Sequence, residues 1–332
     1  MAEPAPTNAL RRWTQAGILL AVVFGLAVAV RSVGASGWRD MATVAARIGP
    51  GGFLLYCGYS LGVFVLLGAA WMSAAGEPGA RLGLFTWGRM VREAASDLLP
   101  FSQLGGILLS MRMLIGRGVA APRVYASFVV DLSTEMASQL VYTLFGLATM
   151  ASILIDHRAD MLRPLILGGT AVMAITIALV FVGQRPLTVA ATGLARRFLP
   201  GSVDVASAIE RELGTRYAAR GHVALAFALN LAAWVASAAG AWIVLRLAGV
   251  PLSIWAALSL ESLIFTLRSV AFAIPGAIGV QEAAYALAGP LFGLSPEAAL
   301  ALALAKRARD LAIAVPTLLV WQAGQVRALA RG

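Results

Sequence analysis

Charged residues and cysteine are both scarce in this sequence, and no segment is long enough for a soluble catalytic domain. Only 13% of the 332 residues are charged while 60% are hydrophobic, and the mean hydropathy is +0.82. Soluble domains are nearer to half apolar and a quarter charged. The longest stretch that contains neither a predicted membrane span nor a broken-helix region, residues 184–221, is too short for an ordinary folded domain. We therefore interpret the whole chain, residues 1–332, as a single transmembrane domain.

The sequence also lacks the residue patterns of common active sites. Cys57 is the only cysteine, which excludes a disulfide framework and a thiolate metal site. His157 and His222 are far apart, and no HExxH, GxxxxGK[ST] or GxSxG motif is present. We expect no metal, no cofactor and no catalytic residues of these classes, so the sequence favours a protein that is not an enzyme.

The net charge of +10 is explained by membrane topology rather than by nucleic acid. The basic residues are scattered through short loops, and no basic run is interleaved with aromatic residues. If both termini are cytoplasmic, six arginines fall in outside loops: Arg31, Arg39, Arg47, Arg158, Arg163 and Arg246. Most basic residues then lie on the inside, and this bias predicts a multi-pass protein with cytoplasmic N- and C-termini. No nucleic-acid partner is expected.

Apolar runs predict an all-α polytopic membrane protein with about six full spans. These spans lie near residues 15–31, 51–73, 124–154, 164–183, 222–248 and 297–323. Residues 184–221 are predicted to form a cytoplasmic amphipathic loop. Two less regular regions, residues 81–116 and 251–294, interrupt the pattern.

Each irregular region contains a helix that is broken by proline and glycine. An arginine precedes each proline, Arg92 in the first region and Arg268 in the second. The predicted break residues are Pro100, Gly105 and Gly106 in the first region and Pro275, Gly276 and Gly279 in the second. A break frees backbone groups that lipid cannot satisfy, so they must face protein or water. The alternative is a pair of ordinary helices with proline kinks.

Three predicted spans lie between the two irregular regions, which places these regions on opposite faces of the membrane. Residues 1–154 and 164–332 are therefore predicted to be inverted repeats, each containing one broken helical hairpin. Each hairpin is either re-entrant or a pair of full spans. Both arrangements return the chain to the side of the membrane from which it entered, so they predict the same orientation for the remaining spans.

An acidic stripe runs along the predicted span 124–154. Asp131, Glu135 and Gln139 follow one another at four-residue steps, which places them on one helix face. A carboxylate at the bilayer centre costs about 2.5–3.5 kcal/mol, so this face should contact a cavity, arginines, or both. The stripe either lines a polar path, with proton carriage as one use, or holds helices together.

A second group of polar residues occupies the last third of the chain. It contains Glu261, Arg268, Gln281, Glu282, Lys306, Arg307, Arg309 and Asp310. Cations exceed anions around the final apolar segment, and the arginine guanidinium suits phosphate. These observations predict an anionic headgroup at Arg92, Arg268 and Arg309, with Gln281 and Glu282 lining the cavity. The alternative is a structural network of ion pairs.

Two segments carry a resemblance to a known family. Residues 274–283 are similar to the Pro-Gly-Gly-x-Gly-x-x-Glu signature of the bacterial flippase-like family, the transmembrane domain of lysylphosphatidylglycerol synthases, with Ala277 where glycine is frequent. Residues 99–106 resemble its other signature. Residues 130–135, 138–140 and 305–311 most resemble the members associated with hopanoid biosynthesis.

The resemblance implies a protein of the bacterial cytoplasmic (inner) membrane whose partners are membrane lipids, either hopanoid or anionic, and hopanoid-synthesis enzymes. It implies a flippase-like lipid transporter. The alternatives are an intramembrane transferase, or an essential partner of one, that uses Asp131, Glu135 or Glu282 as acid or base, and a scaffold. Lysyl transfer is not implied, since the aminoacyl-transferase domain of the full synthases is absent from this sequence.

Overall fold

The computed structural model describes residues 8–98, 102–150, 203–270, 277 and 279–329, and this part of the chain is helical with no strand. Its helices are α1 (Asn8–Ala75), α2 (Leu82–Leu98), α3 (Ser102–Gly116), α4 (residues 121–150), α5 (Val203–Ala218), α6 (Arg220–Leu247), α7 (Ile254–Val270), α8 (Val280–Ala288) and α9 (Pro296–Leu329). Short 3₁₀ turns cover Gly79–Arg81 and Gly289–Phe292. The predicted all-α class is confirmed. The predicted span 164–183 and the break residues Pro100, Pro275 and Gly276 lie outside the described residues.

Two described helices are long and apolar enough to cross a membrane. They are the Ala42–Ala75 part of α1 and the whole of α6. The 34 residues of α9 also exceed the length of about 20 that a span needs, although this helix carries a group of charges in its middle. Helix α4 likewise covers 30 residues, in the place of the predicted span 124–154.

The predicted loop after the first span is wrong. Residues 32–48 are helical within α1, and the helix continues to Ala75. Within α1 the backbone departs from helical φ at Gly49, whose φ is +62° and which Pro50 follows. Glycine adopts this left-handed conformation without steric cost. Hydropathy alone therefore predicts two separate spans, whereas the backbone forms one helix through both apolar runs.

Helices α1 and α6 form an antiparallel pair that defines the two ends of the bundle. The Ser73 hydroxyl donates to the His222 carbonyl (3.0 Å), and the Tyr59 hydroxyl donates to the Ala236 carbonyl (2.8 Å). Gly240 permits this approach, because a Cβ there would lie 3.1 Å from the Tyr59 ring. We call the end next to Ala75 the Glu77 end, and the opposite end the Pro50 end.

Helices α2 and α3 form a hairpin that begins and finishes at the Glu77 end. Helix α2 runs antiparallel to α1, because Gly68 packs on Thr86 while Phe64 borders the later residues of α2. Helix α3 then returns along α2, with Gly106 against the Arg92 carbonyl and Met113 against Gly88. The inner end of this hairpin, near Asp97, therefore lies at about the level of Phe64.

Helices α7 and α8 form a second hairpin, which begins and finishes at the Pro50 end. Leu252, before α7, and Phe292, after α8, belong to the apolar cluster that contains Ile48. Helix α8 runs antiparallel to α9, with Gly289 packed on Ala299. The inner end of this hairpin lies near Arg268, in the middle of the bundle.

The predicted role of two glycines as break residues is corrected by the structure. Gly105 and Gly106 lie inside α3 rather than at its start. A Cβ at Gly106 would lie 2.3 Å from the Arg92 carbonyl oxygen, so this glycine lets α2 and α3 approach closely. The third described break residue, Gly279, directly precedes α8 with a φ of +81°.

Charged residues tie the loops together at the Glu77 end. Arg123, at the start of α4, forms hydrogen bonds to Glu77 (2.8 Å) and to Glu212 of α5 (3.1 Å). These two hydrogen bonds raise the pKa of Arg123 above its usual value. Arg216 of α5 donates to the Ala75 carbonyl (2.9 Å). Part of the segment 184–221, predicted to be an amphipathic loop, is thus the helix α5, docked on this end.

Candidate functional site

The acidic stripe of α4 contacts two arginines of α2, and we call this group the Arg89 cluster. Arg89 Nη1 lies 3.0 Å from Glu135 Oε2 and 3.3 Å from Asp131 Oδ2, and its Nη2 also donates to Glu135. Arg92 Nη2 lies 3.2 Å from Glu135 Oε2. The stripe therefore faces arginines, which is one of the two arrangements expected from its sequence.

The Arg89 cluster is dry and closely packed. Only 2% of the Arg89 side chain and none of the Asp131 side chain are exposed. The Asn230 amide of α6 contacts Asp131 Oδ1 (3.4 Å) and Thr134 (3.2 Å), while the Arg92 guanidinium lies 5.3 Å from the Phe128 ring centre. Two guanidiniums and two carboxylates satisfy much of each other's charge here, as buried ions require.

A second buried group, the Lys306 cluster, joins α7, α8 and α9. Lys306 donates to the Glu261 carboxylate and to the Tyr285 hydroxyl (2.8 Å), and the Tyr285 hydroxyl donates to Glu261. Both charged side chains are 1% exposed. Lys306 Nζ also lies 4.9 Å from the Phe265 ring centre. This arrangement holds the second hairpin against α9.

The two polar residues at the start of α8 have different surroundings. The Gly279 amide donates to Glu282 Oε2 (2.8 Å), and Arg307 Nη2 lies 3.2 Å from Glu282 Oε1. Glu282 thus caps its own helix and binds α9. Gln281 is fully buried, and within the described part of the chain neither atom of its amide has a hydrogen-bond partner. The third residue of the α4 stripe, Gln139, donates to the Phe265 carbonyl of α7 at 3.5 Å.

The third group, the Asp310 cluster, lies where the inner ends of the two hairpins meet. Arg268 Nη2 of α7 is 3.7 Å from Asp97 Oδ1 of α2. Arg309 pairs with Asp310, and its Nη1 lies 3.3 Å from the Ser60 hydroxyl of α1. The Arg309 guanidinium also lies 5.2 Å from the Tyr56 ring centre. Helices α1, α2, α7 and α9 all contribute to this group.

Three side chains of the Asp310 cluster are more exposed than any in the other two clusters, whereas Asp310 itself is 9% exposed and Glu135 is 12% exposed. The side chains of Arg268, Asp97 and Arg309 are 23%, 20% and 15% exposed. A small pocket, with room for little more than a water molecule, lies beside Asp97 and Asp310 between α1, α2 and α9. Its lining consists of Phe64, Met90, Glu93, Ala94, Asp97, Asp310, Ile313 and Ala314.

The charges of the three clusters are nearly balanced, which corrects the predicted excess of cations. Six cations, Arg89, Arg92, Arg268, Lys306, Arg307 and Arg309, are paired with seven carboxylates, Glu93, Asp97, Asp131, Glu135, Glu261, Glu282 and Asp310. The sequence surplus around α9 disappears because α2, α7 and α8 supply carboxylates to it. Among the described residues, no three His, Cys, Asp or Glu side chains are placed to bind a metal ion.

The predicted headgroup arginines are only partly brought together. Arg268 and Arg309 both belong to the Asp310 cluster, whereas Arg92 lies in the Arg89 cluster with its charge paired. Sequence reasoning missed Arg89 and Asp97. Arg89 lies three residues before Arg92 on one amphipathic helix, and this spacing was the available signal. Tyr285 carried no such signal.

A helical bundle with apolar spans and buried ion pairs between its helices defines an integral membrane protein with a polar interior. The chain belongs to the family of the lysylphosphatidylglycerol synthase TM region, whose sequence profile matches residues 17–318. No curated protein and no solved structure matches the chain significantly. The family points to a function connected with membrane lipids.

Proposed function

We propose that this protein is a flippase-like transporter, which moves the headgroup of an anionic or hopanoid-linked lipid through the polar interior while the acyl chains remain in the bilayer. The observation that carries the proposal is the Asp310 cluster, a group of charges in the middle of the bundle in which Arg268, Asp97 and Arg309 are partly exposed. Arg268 and Arg309 contact the headgroup phosphate, because planar guanidiniums bind phosphate through paired hydrogen bonds.

The two hairpins form the path in this proposal. One begins and finishes at the Glu77 end and the other at the Pro50 end, so they act as re-entrant elements of inverted repeats that approach from opposite sides of the membrane. Helix α2 has 17 residues and α3 has 15, fewer than the roughly 20 that a full span needs. Movement of either hairpin relative to α1 and α9 would open the Asp310 cluster to one leaflet at a time.

The Arg89 and Lys306 clusters have a supporting role in this mechanism. Their side chains are almost completely buried and paired, so they fix α2 to α4 and α8 to α9. This assignment places Asp131, Glu135 and Arg92 outside the lipid contact. It also gives no support to the transferase alternative, because Asp131 and Glu135 are held between two guanidiniums rather than free to accept a proton from a substrate.

The link to hopanoid lipids, and the placement in the bacterial inner membrane with cytoplasmic termini, rest on the sequence. The segments most similar to the hopanoid-associated members contain Asp131, Glu135, Lys306, Arg309 and Asp310. These residues belong to the Arg89, Lys306 and Asp310 clusters, so the segments that resemble that subgroup also contribute to the polar interior.

The experiment is reconstitution of the purified protein in liposomes with fluorescent phosphatidylglycerol or a labelled hopanoid. Exchange between leaflets that is faster than in protein-free liposomes supports the proposal. Exchange at the protein-free rate, with folding verified by size-exclusion chromatography and circular dichroism, contradicts it. Lipid extracts of a deletion strain distinguish the alternative: a missing lipid with accumulation of its precursor indicates synthesis, and normal composition in the wrong leaflet indicates transport.

A further inference from the structure

We propose that Asp310 accepts a hydrogen bond from a hydroxyl group of the transported headgroup, and that the substrate is therefore a lipid with a polyol headgroup. This inference rests on the proposed function and deepens it, because it names the chemical class of the headgroup and the residue that selects it. The phosphate of the same headgroup contacts Arg268 and Arg309, as in the proposed function.

One oxygen of the Asp310 carboxylate lacks a hydrogen-bond donor. Its Oδ1 accepts from Arg309, whereas Oδ2 is buried and has no partner within the described part of the chain. The side chain is 9% exposed. The adjacent guanidinium stabilises the ionised carboxylate, and an ionised carboxylate can only accept hydrogen bonds. A buried acceptor without a donor costs free energy, which a donor from a ligand would recover.

The pocket beside Asp310 fits a small hydrogen-bond donor. It has room for little more than a water molecule, and a hydroxyl group is about as large as one water. The carboxylates of Glu93, Asp97 and Asp310 line it, and its other lining side chains are apolar. These side chains offer oxygen acceptors and no N–H or O–H donor. The pocket therefore selects a group that donates, and a phosphodiester, which only accepts, cannot satisfy it.

The charge balance around the pocket favours a neutral donor over a cation. Each of the three carboxylates is already paired with an arginine, at 3.1 Å for Glu93 and 3.7 Å for Asp97. An additional ammonium group or metal ion would leave a positive charge without a counterion in the interior, which is costly. An ammonium group also has three N–H donors to satisfy, whereas a hydroxyl group has one O–H. A hydroxyl group thus satisfies Oδ2 of Asp310 without changing the net charge.

A second unpartnered group extends the inference from one hydroxyl group to a polyol. The Arg309 guanidinium links Asp310 to Tyr56, whose ring centre lies 5.2 Å away. The Tyr56 hydroxyl is buried and also lacks a hydrogen-bond partner among the described residues. A hydroxyl group both donates and accepts. A headgroup with more than one hydroxyl group can therefore donate to Asp310 and also bind the Tyr56 hydroxyl.

The first test measures lipid binding to the purified protein in detergent, without transport. Phosphatidylglycerol and phosphatidylpropanol carry the same phosphate and net charge, and their headgroups differ only in the hydroxyl groups. Native mass spectrometry should show about tenfold tighter binding of phosphatidylglycerol, because phosphatidylpropanol cannot donate to the charged Asp310. Equal affinity of the wild-type protein for the two lipids overturns the proposal. Tighter binding of phosphatidylethanolamine than of phosphatidylglycerol also overturns it, because that result identifies an ammonium site.

The variant Asp310→Asn tests whether Asp310 causes this preference. The amide oxygen of the asparagine should stay with Arg309, so its NH₂ group takes the place of Oδ2 and cannot accept from a hydroxyl group. The affinity ratio should fall to about one, whereas Glu210→Gln, at an exposed carboxylate of α5, should keep it. An unchanged ratio in folded Asp310→Asn overturns the proposal. If that variant does not fold, Tyr56→Phe should lower the ratio about threefold, and an unchanged ratio overturns the polyol site.

The second test compares leaflet exchange of the same two lipids, each with a fluorescent acyl chain, in liposomes. The wild-type protein should exchange phosphatidylglycerol faster than phosphatidylpropanol, and Asp310→Asn should exchange the two at similar rates. Equal exchange of both lipids by the wild-type protein overturns the selection of a polyol headgroup. A wild-type protein that exchanges neither lipid instead overturns the proposed function, while the affinity ratio in detergent still decides the polyol site.

Discussion

Arg268 of α7 and Asp97 of α2 join the inner ends of the two helical hairpins, with Nη2 and Oδ1 3.7 Å apart. The hairpins begin at opposite ends of the bundle, and this pair is where their charged residues meet. Both side chains are partly exposed, in contrast with the dry pairs on either side. The contact thus combines weak attachment with partial exposure, which the proposed movement of the two hairpins requires.

The first prediction concerns this contact. Arg268→Ala should reduce lipid exchange strongly and lower the unfolding free energy by about 1–3 kcal/mol, because it leaves the mostly buried Asp97 carboxylate without its cation. Leaflet exchange and thermal unfolding in detergent measure the two effects. Arg246→Ala is the matched control, since Arg246 is exposed at the end of α6. Normal exchange by folded Arg268→Ala would remove this arginine from the mechanism.

A second prediction addresses the Arg89 cluster. Glu135→Gln leaves two buried guanidiniums with Asp131 as their main counterion, so the variant should be destabilised by about 3–5 kcal/mol. Thermal unfolding in detergent measures the change, with Glu210→Gln as the control at an exposed site. An unchanged melting temperature would show that the α2–α4 ion pairs do not hold the bundle together.

Two adjacent glycines of α3 provide a third prediction. A Cβ at Gly106 would lie 2.3 Å from the Arg92 carbonyl oxygen, whereas a Cβ at Gly105 would meet nothing within 4 Å. Gly106→Ala should therefore push α2 and α3 apart and cost about 1–3 kcal/mol. Gly105→Ala should be neutral or slightly stabilising, because alanine favours a helix. Equal melting temperatures for the two variants would contradict the close packing of this hairpin.

The Lys306 cluster gives a fourth prediction. Lys306→Met leaves Glu261 buried without its cation, which should cost about 3–5 kcal/mol. The double variant Lys306→Met/Glu261→Gln should recover much of this loss, because no buried charge then remains unpaired. A double-mutant cycle of unfolding free energies measures the coupling. Additive effects of the two changes would mean that Lys306 and Glu261 act independently.

The positions of the helices were more predictable from the sequence than the contacts between them. Spans such as 222–248 were close to the observed α6, because lipid requires long apolar helices and these are visible in hydropathy. Residues 32–48 were predicted to be a loop, because their hydropathy is lower than that of the flanking runs, but they are helical within α1.

The pairing of charges was only partly predictable. Four-residue spacing correctly placed Asp131 and Glu135 on one face of α4, but their partners in α2 lie more than 40 residues away in the chain. Asp97 faces Arg268 only because two hairpins meet, and this depends on helix packing rather than on a local pattern. For the same reason the excess of cations around α9 was misleading.

In the proposed function, charges in the middle of the bundle carry a lipid headgroup between leaflets. This is tested by the exchange rate of fluorescent phosphatidylglycerol in liposomes that contain equal amounts of folded wild-type protein, Arg309→Ala or Arg246→Ala. We expect rapid exchange with the wild-type protein and Arg246→Ala, and exchange near the protein-free rate with Arg309→Ala. Exchange by Arg309→Ala as fast as by the wild-type protein, or none by the wild-type protein, would contradict the claim.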